Sequence, residues 1–266
     1  MLTNENYHQD RNYISASGLK QIAKSPRHYW HRYLNPAYED ATTPAMAFGN
    51  VVHTLMLEPQ EFELRYAVAP DVNRTTKAGK EAYEAFAEAN EGKEFISSKD
   101  FATATAMIEQ AKLNPIITDL LDLSEKEAMH TFEILGVACK MKADAINVID
   151  GCIIDIKTCT DASPDGFGKD AYNLGYLLQA AFYLDGYYFA TGNDLKRFIF
   201  IAMEKSAPFN VAVYEMDKEQ IELGRSQYLA ALQTYKACKA ADKWHAYGDE
   251  IQPLQLPNWA KWNDLI

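Results

Sequence analysis

The sequence has no apolar run long enough to span a bilayer, and its first residues, MLTNENYHQDRNY, are polar where a secretory leader would be hydrophobic. These absences argue against a membrane or secreted protein and place it in the cytoplasm. Cysteine is scarce: Cys139, Cys152, Cys159 and Cys238 lack the paired C-x-x-C spacing of a zinc site, and in a reducing compartment they are expected to remain thiols in the core. No G-x-x-x-x-G-K-[ST] phosphate loop occurs, which excludes ATP hydrolysis by the usual route. Basic residues are also in deficit, with 26 Lys and Arg against 37 Asp and Glu and a net charge of -11. That balance excludes nucleic-acid binding by overall attraction and leaves only binding by a locally basic surface.

What is present is the composition of a packed protein, 48% hydrophobic and 12% aromatic over 266 residues, without repeats or low-complexity tracts. One domain is expected, in three parts: a mainly helical part over 1–125, a sheet with a long helix over 126–216, and a helix and tail over 217–266. Met1 and the form of the tail suggest a complete chain.

A serine of Ile14-Ser15-Ala16-Ser17-Gly18-Leu19 can cap a helix that carries Leu19 and Ile22 on one face and stops near Ser25-Pro26. Ala45 to Leu57 reads as a mostly buried helix from which His53 projects, closed by Glu58-Pro59. Two helices are expected between Thr76 and Leu113, separated at Asn90-Glu91-Gly92-Lys93. The pattern then turns strand-like at Met129–Leu135, Val137–Val148 and Cys152–Ile156, broken at Gly136 and Asp150-Gly151. A long aromatic helix from Ala171 to Phe189, strands at Leu195–Met203 and Phe209–Glu215, and a helix from Lys218 to about Ala241 complete an α/β reading.

The chemistry concentrates on two neighbouring strands. One carries Asp144 in Met141-Lys142-Ala143-Asp144, and the next carries Asp155 and Lys157 in Ile153-Ile154-Asp155-Ile156-Lys157-Thr158. Mg²⁺ prefers hard oxygen ligands, so the two carboxylates, joined by the Ile156 carbonyl, can hold one or two ions beside a phosphate. Asp155 and Lys157, two apart on a strand, share a face and bring an ammonium to that site, while Ile156 turns to the core. The lysine could orient or deprotonate water, or stabilise charge on the phosphate. An isolated D-x-K is usually an ordinary surface charge pair; the acid across the hairpin and the hydrophobic strand before it make this one specific.

These residues resemble the PD-(D/E)xK nucleases of the RecB-like branch, and more closely the RecE-type (exonuclease VIII) nuclease domain. The resemblance also runs through Ile14 to Leu19, Gly49-Asn50-Val51-Val52-His53, Leu57-Glu58-Pro59, Asn73 to Lys80, Gln179 to Tyr183 and Leu256-Pro257-Asn258-Trp259-Ala260. It implies a restriction-endonuclease-like core, a mixed sheet flanked by helices, with an N-terminal helical elaboration. His53, Asp144 and Asp155 would be metal ligands and Lys157 the catalytic lysine, with Mn²⁺ able to replace Mg²⁺. Ala143 stands where the signature proline would precede the first acid. Gln179 and Tyr183, on one helix face, would lie beside the active site, with Tyr176 a weaker candidate on that face. Glu127, or alternatively Glu133, would match an acid at the margin of the metal site.

The resemblance further implies a pocket for a 5′ phosphate at Ser15, Ser17 and nearby Arg11, on a helix N-terminus suited to phosphate. Arg74 and Lys77, with Lys80, form a basic segment for DNA, and Lys20, Lys24, Arg27 and Arg32 line the first helix. Each of these groups would equally serve as a cap or sit on a solvated helix face. No cysteine run of the kind that holds an iron–sulfur cluster in some relatives is present. The expected activity is ATP-independent degradation of linear duplex DNA from its ends, 5′ to 3′, leaving 3′ single strands for an annealing protein or recombinase. A homo-oligomer, in the form of a tetrameric ring, is the expected assembly. The alternatives are a structure-specific or single-strand endonuclease with the same metal centre, and a non-catalytic DNA-end binding module.

Overall fold

A computed structural model describes residues 7, 9–38 and 42–255. The tail motif at 256–260 lies outside the described residues. Helix α1 (Ala16–Lys24) starts at Ser15, whose hydroxyl accepts the Gly18 N–H, and ends at Ser25, which in turn caps the short α2 (Pro26–Tyr29). Helix α3 spans Pro44–Leu57 behind the cap Thr43. After α4 (Phe62–Arg65) come β1 (Tyr66–Ala69), α5 (Lys77–Ala89), β2 (Glu94–Ser97), α6 (Ser98–Lys112) and α7 (Pro115–Asp122). The meander β3 (Glu125–Ile134), β4 (Val137–Asn147) and β5 (Cys152–Cys159) follows. Then come α8 (Pro164–Asn173), α9 (Tyr176–Thr191), β6 (Arg197–Glu204), β7 (Val211–Glu215) and α10 (Lys218–Ala241).

The main sheet has the order β3-β4-β5-β6-β7, antiparallel except for the parallel pair β5 and β6, which α8 and α9 connect. This is the expected mixed sheet. It separates two apolar clusters. One gathers Leu19 of α1, Phe182 of α9 and Leu232 of α10; the other gathers Val52 of α3, Met107 of α6 and Ile117 of α7. Strand β5 serves both, with Ile153 in the first cluster and Ile154 and Ile156 in the second. Each of these isoleucines is fully buried, and each contributes roughly 1.5–3 kcal/mol by leaving water. That anchorage holds β5 rigid where it carries Asp155 and Lys157.

Two elements depart from the sequence reading. The N-terminal part is not wholly helical, because β1 and β2 form a small parallel sheet. Strands of four residues are too short to display the alternation by which a strand is recognised. The helix expected from Ala171 to Phe189 is broken at Gly175, which adopts φ +67° and separates α8 from α9. A left-handed glycine ends one helix and opens the next, and its missing side chain leaves room for Lys20, whose Cγ would lie 3.2 Å from a Cβ there. Among the described residues no helix is long and apolar enough to cross a membrane.

Candidate active site

The β4–β5 ladder pairs only Ala145 with Ile154, Ile146 with Ile153 and Asn147 with Cys152. Beyond these pairs a side chain takes over the backbone's role: the Ile156 N–H donates to Asp144 Oδ2 at 2.7 Å. Alternation in β4 is broken at the same place, since Met141 and Ala143 enter the first apolar cluster but Ala145 enters the second. Opposite lies Glu127, between the registered residues Lys126 and Ala128 and with φ +51°. A non-glycine residue in that region carries strain, and such strain gathers at functional sites. Here it accompanies the end of the β4–β5 ladder beside a group of acids, while β3 and β4 stay paired on either side of Glu127.

Helix α3 delivers His53 from the other side of the sheet. Its Nε2 lies 3.0 Å from the Ile156 carbonyl oxygen and its Nδ1 lies 3.3 Å from Asp144 Oδ1. Both partners are acceptors, an arrangement that favours a ring protonated at both nitrogens. Its pKa is raised accordingly: burial works against the charge, and the charge and hydrogen bond of Asp144 outweigh it. For Asp144 burial pushes upward, while His53, Lys157 and the Ile156 N–H together bring its pKa below the ordinary value.

Asp155 is 2% exposed. Burial raises its pKa against the pull of Lys157. Gln179 Nε2 donates to its Oδ1 at 2.6 Å, and Lys157 Nζ lies 2.5 Å from its Oδ2. Although paired in charge, Oδ2 accepts no well-directed hydrogen bond. Lys157 itself is pushed up: burial opposes its charge but Asp155 and Asp144 prevail, so it stands as an ammonium, 4.9 Å from the centre of the Tyr176 ring. Charge stabilisation suits this state better than proton abstraction.

His53, Glu127 and Asp144 each offer a ligand atom, and these atoms lie within 4.8 Å of one another. Asp155 stands outside this tight group. Glu127 is therefore nearer the centre than the marginal position expected of it, and Glu133, out in the open end of β3, is exposed. Lys142 Nζ makes an ion pair with Glu127. Carboxylates, a carbonyl and an imidazole suit a divalent cation with a preference for oxygen and nitrogen. Two features fit such an ion: His53 bridges two acceptors, Asp144 and the Ile156 carbonyl, where positive charge is favoured, and Asp155 Oδ2 retains acceptor capacity.

A cleft of about 1030 Å³ opens over this group. Its walls include Asp144, His53, Glu127 and Tyr183, and also Arg11, Ser15 and Ser17, so the expected phosphate pocket and the acidic group share one space. Tyr183 is 9% exposed, and burial raises its pKa well above the usual value. Arg11 lies 4.8 Å over the Tyr33 ring, and Ser15 spends its hydroxyl on capping α1. Arg74 and Lys77 do not line the cleft. Arg74 stacks 3.9 Å over Tyr83, and Lys77 lies at the surface 3.8 Å from Glu81. Two cations in contact with these side chains had no site role in the sequence reading. Lys142, paired with Glu127, had a signal in its i, i+2 spacing from Asp144, while Lys20, whose Nζ donates to Gln179 Oε1 at 2.8 Å, was named only as a cation along the first helix.

A sheet that parts to deliver an acid from one strand and a D-x-K pair from the next is matched at family level. The model for the "PDDEXK-like domain of unknown function (DUF3799)" matches residues 15–257. The chain belongs to this PDDEXK-like family. No curated protein sequence matches the DUF3799 chain. Among solved structures it is similar to a proposed exonuclease from Eubacterium rectale, with 17% identity, 96% of each chain covered and a TM-score of 0.66. It shares 16% identity with a phage-related exonuclease from Haemophilus somnus 129PT, covering 66% of this chain and 91% of that one, with a TM-score of 0.36. An alkaline exonuclease from Laribacter hongkongensis is 14% identical, with 90% and 99% covered and a TM-score of 0.32. At these identities the first structure shows a shared fold, and the other two add no weight.

Proposed function

We propose that this DUF3799 protein is a divalent-metal-dependent, ATP-independent exodeoxyribonuclease that degrades linear duplex DNA from its ends. The observation that carries this reading is the meeting of Asp144 and His53, which line the cleft, at the Ile156 peptide, on whose strand Asp155 and Lys157 are paired. Asp144, Asp155, the Ile156 carbonyl and His53 would hold the ion, with Glu127 in reach and Mg²⁺ or Mn²⁺ the chemically suited choice. Such an ion would polarise the phosphate and make bound water more acidic.

The protein's own groups supply the rest. Lys157, an ammonium in a largely enclosed place, stabilises negative charge that grows on the phosphate. Gln179 holds Asp155 by one oxygen and leaves the other turned to Lys157. His53 would have to be neutral to serve as a nitrogen ligand, so ion binding and proton release would be linked there. Arg11 and Ser17, in the same cleft, are suited to a terminal 5′ phosphate, which favours 5′ to 3′ degradation and 3′ single strands as products. Those strands are the material an annealing protein or recombinase uses.

The test is digestion of 5′-phosphorylated linear duplex with Mg²⁺, with and without EDTA, by the wild type and by Lys157→Ala. The expected loss in the variant is about 10²- to 10³-fold, the usual cost of removing one charge-stabilising donor. Equal digestion by Lys157→Ala would overturn the site, and cleavage of covalently closed circles would replace the exonuclease by an endonuclease.

A further inference from the structure

We infer that Lys20, on the N-terminal helix α1, is a positioning residue for the catalytic centre and acts through Gln179 on Asp155. The inference rests on the nuclease reading above for the word catalytic, and on geometry for the rest. Lys20 Nζ donates to Gln179 Oε1 at 2.8 Å, and Gln179 Nε2 donates to Asp155 Oδ1 at 2.6 Å. A carboxylate only accepts, so the amide must turn Nε2 to Asp155 and leave Oε1 to the Lys20 Nζ donor, whether that nitrogen is charged or neutral. Gripped at both ends, Gln179 is fixed in place as well as in sense. Its carbonyl is polarised by the Nζ donor, most strongly when Lys20 carries its proton, which strengthens the N–H that holds Asp155.

The surroundings are shaped for this contact rather than for a solvated lysine. Gln179 is 8% exposed. The Lys20 stem runs past Gly175, where a Cβ would meet its Cγ, Cδ and Cε at 3.2–3.4 Å, and its ammonium lies 5.2 Å from the centre of the Tyr176 ring. Lys157 lies 4.9 Å from that same ring centre, so two cations approach one aromatic side chain. Burial first and the charge of Lys157 second push Lys20 down to about 7. A lysine with no task beyond solubility would extend away from both penalties. The side chain instead spans the break between α8 and α9 to reach one amide.

The test is a double-mutant cycle of Lys20→Met and Gln179→Ala, read in two ways: kcat and KM on linear duplex, and the affinity for Mn²⁺ alone by calorimetry. Each single variant is expected to lower kcat and to weaken Mn²⁺ binding by about tenfold, within the range for groups that orient a metal ligand. KM for DNA should stay within about twofold, and the double variant should be no worse than Gln179→Ala, because the second change removes what the first acts through. Lys20→Arg, which keeps a donor, should recover part of the loss. Additive losses in the cycle would overturn the inference. So would unchanged Mn²⁺ affinity with a raised KM and a weaker salt dependence, which would make Lys20 a phosphate contact. Melting curves check the fold, and Lys20→Gln replaces Lys20→Met if that variant does not fold. A wild type that binds Mn²⁺ but never cleaves DNA sinks the nuclease reading alone, since the calorimetric cycle still decides the role of Lys20.

Discussion

Glu127 and Lys142 sit side by side at the mouth of the acidic group, one a donor shared with His53 and Asp144 and the other its counter-charge. If Glu127 assists in holding the ion, Glu127→Gln should weaken Mn²⁺ binding by about tenfold. Calorimetry on the isolated variant measures this, and an unaltered affinity would leave Glu127 as half of an ordinary ion pair. Asp144, Asp155 and Lys157 could be picked out of the chain because two acids and a lysine at that spacing fall on neighbouring strands, and the structure does bring them to the same stretch of β5. His53 was legible only through family resemblance, since one histidine on an apolar helix carries no mark of its partners. Lys20 was legible only as one of the cations along the first helix, not as a partner of Gln179. Its meaning depends on Gly175 and Gln179, more than 150 positions away, and nothing near Lys20 in the chain points to them.

Helices α9 and α10 pack so closely that glycine is required at the crossing. A Cβ on Gly224 would lie 2.0 Å from the Leu177 carbonyl oxygen, and backbone there cannot step aside as a flexible side chain could. Gly224→Ala is therefore expected to cost about 1–3 kcal/mol despite alanine's better helix propensity, the usual range for overpacking. Chemical denaturation compares the variant with wild type; equal or greater stability would show that the helices can separate cheaply. A polar clasp lies on the same pair, where Arg225 holds both oxygens of Asp185 at 2.7 and 2.8 Å and Tyr228 donates to one of them at 2.6 Å. The meander, β6, β7 and α10 were readable from alternation and helical spacing, and α10 matches its expected bounds, Lys218–Ala241. The break at Gly175 was hidden by a run of aromatic residues that continues on both sides of it.

Across the whole molecule, acids outnumber bases, but at the cleft the two signs are matched. The chain carries -11, whereas the cleft walls set Arg11, Arg32, Arg65, Lys140 and Lys142 beside Asp10, Glu61, Glu94, Glu127 and Asp144. Lys140 is spent inside the fold, 3% exposed and donating to the Asp10 carbonyl at 2.6 Å, so not every cation counted in the sequence is offered to a ligand. Crowded carboxylates should make the molecule more stable once an ion joins them. At 100 times the dissociation constant the gain is about 2.7 kcal/mol. Adding Mn²⁺ to EDTA-treated protein should raise the melting temperature, and Asp144→Asn should abolish most of the rise; no shift in the wild type would count against a metal centre at this place.

The Ile156 peptide, met by His53 through its carbonyl and by Asp144 through its N–H, has one more implication. His53 precedes it by 103 positions, and Gln179 follows on a helix made later in synthesis. Both apolar clusters must close before these groups meet, one bringing α3 and the other α9 to the sheet. A nascent chain, or one folded on a single face, holds only fragments of the centre. On the nuclease reading, cleavage therefore requires both faces of the sheet to be complete.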